Sequence, residues 1–360
     1  MILAARLWVL GLVLILGACG QESPVAQPAG GARTKIVLVT DWKAQAEHGG
    51  FYEAVAEGLY ARHGLSVVIR EGGPTVNVGQ LLAGGAADFG IASNSFIPLN
   101  LRRAGGAFRA VMAVFQKDPQ VLITHPRSDI KSIADMVGKP IMISDAAVDT
   151  FWPWLKSRFG FSDNQIRKYT FNLAPFLVDK SAIQEGYLSS EPYAIEKQGG
   201  IKPEVYSLAD AGYPGYANLV LVPDSWIASK SQAVQAFVDA SIEGWMDYLY
   251  GDPRPGNELI KKDNPEMTDD LIAQAIDKMR RYGIALSGDA GKAGIGAMTD
   301  QRWQDFFAAM SSEGIYPRDF GYRDAYTLQF VNKGHALDRR SGVALVAAPK
   351  TPPSGGASVQ

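Results

Sequence analysis

The side chains able to do chemistry gather in short stretches that follow apolar runs. Asp41 and Trp42 follow the first, with His48 and Tyr52 close behind. Asn94 and Phe96 follow a third run, and Gln116 ends a fourth. Asp145 and Trp152 follow Pro140-Ile-Met-Ile-Ser144, and Glu191 and Tyr193 come after Ser189-Ser190. Flat rings stack on planar molecules, at about 1–3 kcal/mol per stacked base in nucleic-acid systems. Carboxylates accept hydrogen bonds from amino groups, and Asn and Gln read donor or acceptor edges. An anion would call for Arg forks or convergent helix N-termini, yet Lys43 is the only cation in these stretches. The set therefore predicts a neutral or amino-bearing heterocycle rather than a sulfonate or nitrate.

Each residue also has a structural role open to it. Asp41-Trp42 suits a turn acid and a core indole, Tyr52 suits packing, and His48 suits a bond to the following helix. Glu191 suits a helix N-terminus, and Asn94 and Gln116 suit loop backbone that needs partners. Trp152 and Trp154 point to different helix faces, so at most one reaches a ligand. No catalytic motif is present: no phosphate-binding Gly-x4-Gly-Lys-Ser/Thr loop, no His-Glu-x-x-His pair and no Gly-x-Ser-x-Gly elbow. His48, His63, His125 and His335 are too dispersed for metal spacing to be read, and Gly288–Gly296 reads as a loop. No cofactor or metal is expected.

The elements that must position these residues follow from the periodicity. Short apolar runs at 35–40, 65–70, 88–91 and 110–115 alternate with helical patterns at 50–62, 76–83 and 96–103. A second unit repeats the alternation, with strands at 140–144, 168–171 and 204–208 and helices at 150–159 and 189–198. After the run 217–222 the pattern turns helical; Phe237, Val238, Ser241, Ile242, Trp245, Met246 and Leu249 share one face. Strands alternating with helices predict an α/β fold with mixed, mainly parallel sheets, whose ligands sit beyond the carboxyl ends of the strands. The chain has 360 residues, 47% hydrophobic and 20% charged, with a formal charge of −2 and no long basic run. That is enough apolar material for two lobes, and it argues against a nucleic-acid partner.

Residues 1–18 read as a signal peptide: Arg6, then an apolar run ending in Leu16-Gly-Ala-Cys19. The pattern resembles a bacterial lipoprotein signal, which implies lipidation of Cys19, the only cysteine, and membrane anchoring on the periplasmic or extracytoplasmic side. The flexible tether is expected over 19–33, and a disordered tail over 338–360.

Four further passages carry a family resemblance. Asp41-Trp42 with Glu47-His48-Gly-Gly-Phe51-Tyr52, Gln80–Gly90, Ile130–Lys139, and Val222-Pro-Asp-Ser-Trp226 through Phe237 resemble the type II solute-binding proteins of ABC importers. The branch is that of the thiamine-pyrimidine-precursor, taurine and nitrate binders. The resemblance implies a first lobe over 34–124, a second over 125–216, and a return with C-terminal helices over 217–337. It implies crossings near Thr124 and Ala217, a small-molecule ligand between the lobes, and ABC permease and ATPase subunits as partners. A monomer is expected, with a thiamine-related pyrimidine as the favoured ligand. A flavin precursor, taurine, an alkylsulfonate or nitrate are the alternatives. A sensory receptor remains open, and so does an enzyme like the fungal pyrimidine synthases, although the chain lacks their cysteine-rich string.

Overall fold

The computed structural model describes residues 32–73 and 76–337; the expected leader, Cys19 and the tail from 338 lie outside them. Ten strands are present among the described residues: β1 (Thr34–Val39), β2 (Leu65–Arg70), β3 (Phe89–Asn94), β4 (Phe108–Phe115), β5 (Gln120–Thr124), β6 (Ile141–Ile143), β7 (Ile166–Lys168), β8 (Ile183–Tyr187), β9 (Glu204–Ser207) and β10 (Ala217–Pro223). They form two sheets, ordered β2-β1-β3-β10-β4 and β7-β6-β8-β5-β9. In each sheet four strands run one way and one runs against them: β10 in the first and β5 in the second. The reversal has a topological cause. The chain reaches each sheet from the other, so its entering strand starts at the face between the lobes and runs away from it.

This placement moves the first boundary. Strand β5, which ends at Thr124, pairs with β8 and β9 of the second sheet, so the first crossing is 116–119 and not near Thr124. The second crossing, 208–216, ends at β10 beside the expected Ala217. Two other expectations also change. The helix expected over 50–62 is broken at Gly58, whose φ of +65° ends Gly49–Ala56 before Leu59–Arg62 begins. The strand expected over 168–171 stops at Lys168, and Phe171 takes a φ of +62°, a conformation bulky residues rarely adopt.

The helices beyond β10 cover the first lobe. Ser231–Tyr250 buries the face built on Phe237, Trp245 and Leu249. Helix Gly49–Ala56 lies against it closely because Gly49 and Gly50 carry no side chain. A Cβ at Gly50 would stand 2.2 Å from the Trp245 ring, and one at Gly49 would stand 2.0 Å from that of Tyr248. The contact fixes the start of that helix, where Glu47 and His48 sit. Helix Asp300–Ser312 supplies Arg302, which donates to the carbonyls of Gln116, Pro214 and Gly215 and so grips both crossings. The glycine-rich 288–296 stretch contains the short helix Ala290–Ala293. No described helix is long and apolar enough to cross a membrane.

Candidate functional site

A cleft of about 570 Å³ opens between the two sheets, a size usual for small-molecule sites. Asp41, Trp42, His48, Asn94 and Glu191 line it. Asp41 and Trp42 leave the end of β1, Asn94 ends β3, and Glu191 opens helix Glu191–Gly199. Asp41 Oδ1 lies 2.9 Å from His48 Nε2, which orients the buried ring. His48 Nδ1 is buried, with no protein partner among the described residues.

The other six expected residues lie elsewhere, each for a visible reason. Tyr52 faces helix Arg254–Asp263 and donates to Asp263 at 3.1 Å. Phe96 packs among Tyr213, Phe306 and Tyr316. Gln116 donates to the carbonyls of Ala113 and Ala297 and accepts from the Ala290 N–H, so it holds the C-terminal segment. Asp145 is exposed and pairs with Lys168 at 2.9 Å. Trp152 is buried in the second lobe, its indole N–H donating to Asp163 at 2.9 Å. Tyr193 turns outward toward Asp270.

Several lining residues were not anticipated. Gln120 and Asn218 stand at the starts of the reversed strands β5 and β10, which meet the cleft at the end opposite to that of the other strands. Asn218 donates to the Glu47 carbonyl, and its Oδ1 is buried with no protein partner among the described residues. Glu185 lies within β8, where an acid amid Ile183-Gln-Glu-Gly-Tyr187 was the available signal. Tyr169 and Phe171 follow β7. The Phe171 ring meets that of Trp42 at 3.8 Å between centroids, and Tyr169 extends the row at 4.7 Å. Trp42 comes from one lobe and Phe171 from the other, so this contact spans the cleft. The Ser189 hydroxyl also spans it, donating to Glu47.

The electrostatics are one-sided. Among the described residues, Asp41, Glu47, Asp149, Glu185 and Glu191 bring five carboxyl groups to the lining, against the single Lys/Arg cation Arg103. Arg103 is engaged over the Tyr316 ring and with the Ile315 carbonyl. Burial pushes Glu185 and Glu191 up to about 7 and raises Glu47 as well. Bonds to Glu185 from the Ser144 N–H at 2.8 Å and to Glu191 from the Tyr187 N–H at 2.7 Å pull the other way but do not prevail. Repulsion from Glu47 adds to the rise at Glu191, and repulsion from Glu191 adds to that at Glu185. A carboxyl that holds its proton near neutrality presents a hydrogen-bond donor beside an acceptor, a pair that matches the edge of an amide or aminopyrimidine.

Two α/β lobes joined by paired crossings around such a cleft are the architecture of the periplasmic binding proteins of ABC-type import systems. The NMT1/THI5-like family model matches residues 45–255, and the chain belongs to that family. It is 24% identical over 342 residues to the riboflavin-binding protein RibY of Chloroflexus aurantiacus, covering 90% of this chain and 96% of that one. It is 23% identical over 248 residues to the formylaminopyrimidine-binding protein of Halalkalibacterium halodurans, covering 66% and 73%. Among solved structures, the alkanesulfonate-binding protein SsuA from Xanthomonas axonopodis pv. citri shares the fold. Its TM-score is 0.60 at 12% identity, with 82% of this chain and 99% of that one covered.

Proposed function

We propose that this protein is the extracytoplasmic receptor of an ABC importer and that its cleft takes a planar nitrogen heterocycle with amide-like or amino-bearing edges. The observation that carries the reading is the cleft lining: a row of Trp42, Phe171 and Tyr169 beside Glu185 and Glu191, with one engaged cation. Rings supply stacking faces, and carboxyls near their midpoint supply paired donors and acceptors. A sulfonate or nitrate would meet five acids and no free fork. Within the heterocycles, a cleft of about 570 Å³ suits a flavin-sized ring system better than a lone pyrimidine. The relative matched over nearly its full length is named for riboflavin. The thiamine-related pyrimidine stays as the second reading, supported by the relative named for formylaminopyrimidine. The permease and ATPase partners and the lipid anchor at Cys19 belong to the same proposal.

Calorimetry against riboflavin, formylaminopyrimidine, taurine, an alkylsulfonate and nitrate tests it. Riboflavin is expected to bind most tightly. Trp42→Ala removes one stacking face and should weaken binding by about 1–3 kcal/mol, or about 5- to 150-fold. Tight binding of a sulfonate or nitrate with no response to either heterocycle would refute the reading.

A further inference from the structure

We propose that His63, Glu243 and His335 form a metal site for zinc-class divalent ions, separate from the cleft, that pins the C-terminal segment to the first lobe. His63 follows the short helix Leu59–Arg62, Glu243 lies in helix Ser231–Tyr250, and His335 lies in the last stretch of described chain. Glu243 is 180 residues from His63 and 92 from His335 in sequence, so the fold alone brings the three together. None of them lines the cleft.

The geometry is close to that of a coordinated ion. Nε2 of His63 and Nε2 of His335 each lie 2.9 Å from the same Glu243 oxygen, Oε1. One donor atom from each residue falls within 4.8 Å of the other two. Zinc takes imidazole nitrogen and carboxylate oxygen at about 2.0–2.2 Å, so ligand atoms around a tetrahedral ion stand about 3.3 Å apart. The two rings are steeply inclined, 75° between planes, and both bring Nε2 to the same Glu243 oxygen. Moving to the metal-bound arrangement opens the contacts to Glu243 by a few tenths of an ångström and brings the two imidazole nitrogens, within 4.8 Å of each other, to about 3.3 Å. The Glu243 side chain is 11% exposed and the imidazoles 26% and 33%, so the cluster lies at the edge of the lobe, within reach of solvent.

The donor set also selects the ion. Two neutral imidazoles and one carboxylate suit zinc and its transition-metal neighbours, whereas calcium and magnesium require an oxygen cage. Each Nε2 faces the Glu243 carboxyl, whereas a metal takes the Nε2 lone pair, so binding requires the tautomer with hydrogen on Nδ1 in both rings. The segment is already tied to the same lobe, since Asn332 donates to the Met298 carbonyl at 2.7 Å and Lys333 reaches Gln235. The metal would add a cross-link at the edge of the lobe, held by these three protein ligands.

Tag-free full-length protein, stripped with a chelator, would be titrated with zinc chloride by calorimetry. One equivalent of zinc is expected to bind, and His63→Gln and His335→Gln should each weaken it at least tenfold. Glutamine retains a hydrogen-bond donor toward Glu243, and an unchanged circular dichroism spectrum certifies that each variant is folded. Cobalt(II) in place of zinc should give the intense visible bands of four-coordinate nitrogen–oxygen ligation in the wild type and lose them in both variants. No zinc binding to the wild type would overturn the proposal. So would zinc binding that neither folded variant changes, and either result would leave the trio a hydrogen-bonded cluster.

Discussion

Glu185 shows how much a single residue can set in this cleft. It is buried in β8 with one backbone N–H bonded to its carboxylate, and burial lifts it from 4.5 to about 7. The unfolded chain releases the proton at the lower pH, so the native state binds more protons between these values. The stabilising contribution is complete below about 4.5 and is lost as pH rises through about 7. Glu185→Gln keeps the acceptor for the Ser144 N–H and removes the charge. Its stability relative to wild type should rise by up to roughly 3 kcal/mol between pH 4.5 and 8. Urea unfolding of both proteins at the two pH values reads this directly, and a difference that stays flat with pH would refute it. The sequence exposed only part of the lining. Asp41, Trp42, Asn94 and Glu191 are legible because loops after strands and the starts of helices are where an α/β fold displays polar groups. Glu185 was not, because an alternating strand conceals which of its faces meets a cavity. Phe96, Trp152 and Tyr193 ride on helices, and the tertiary partners that claim their side chains cannot be seen in the local pattern.

Among the elements, the reversed strands explain most of the gap between sequence and structure. Apolar runs located nearly every strand, since buried strands need them. Strand direction is not written in such a run. Reading all strands as ending at the cleft missed Gln120 and Asn218, which begin β5 and β10 there; the first crossing, which the family resemblance put near Thr124, lies before β5 and not after it. The C-terminal helices were legible as packing surfaces, but the grip of Arg302 on both crossings was not. One guanidinium serves the carbonyls of Gln116, Pro214 and Gly215, all at or beside segments that link the lobes. Arg302→Met keeps bulk and removes every donor, leaving carbonyls that bond to a charged group without their partner. The expected loss is about 2–4 kcal/mol, read as a lower urea midpoint at unchanged m-value. A change below about 0.5 kcal/mol, the scale of an ordinary surface substitution, would show that Arg302 does not hold the crossings.

The molecule as a whole is held with its lobes in contact. Trp42 meets Phe171, Ser189 reaches Glu47, and outside the cleft Ser157 donates to Glu313 while Lys197 pairs with Asp270. Two crossings permit a hinge, so these contacts are the ones a closing motion would make and an opening motion would break. Phe171 is the informative member, since its φ of +62° places a bulky residue in a costly conformation while its ring meets Trp42. An aromatic pair contributes about 0.5–1.5 kcal/mol beyond its buried area. If ligand binds tightly only to the closed form, Phe171→Ala should lower affinity by about 2- to 12-fold through the closing equilibrium alone. Stacking on the ligand would also be lost, so affinity by itself does not isolate the latch. The radius of gyration of protein freed of ligand does, because no stacking contributes there. Small-angle scattering should show ligand-free Phe171→Ala more expanded than ligand-free wild type, and saturating riboflavin should compact both toward the same value. Equal radii for the two ligand-free proteins would mean that the Trp42–Phe171 contact does not govern closure.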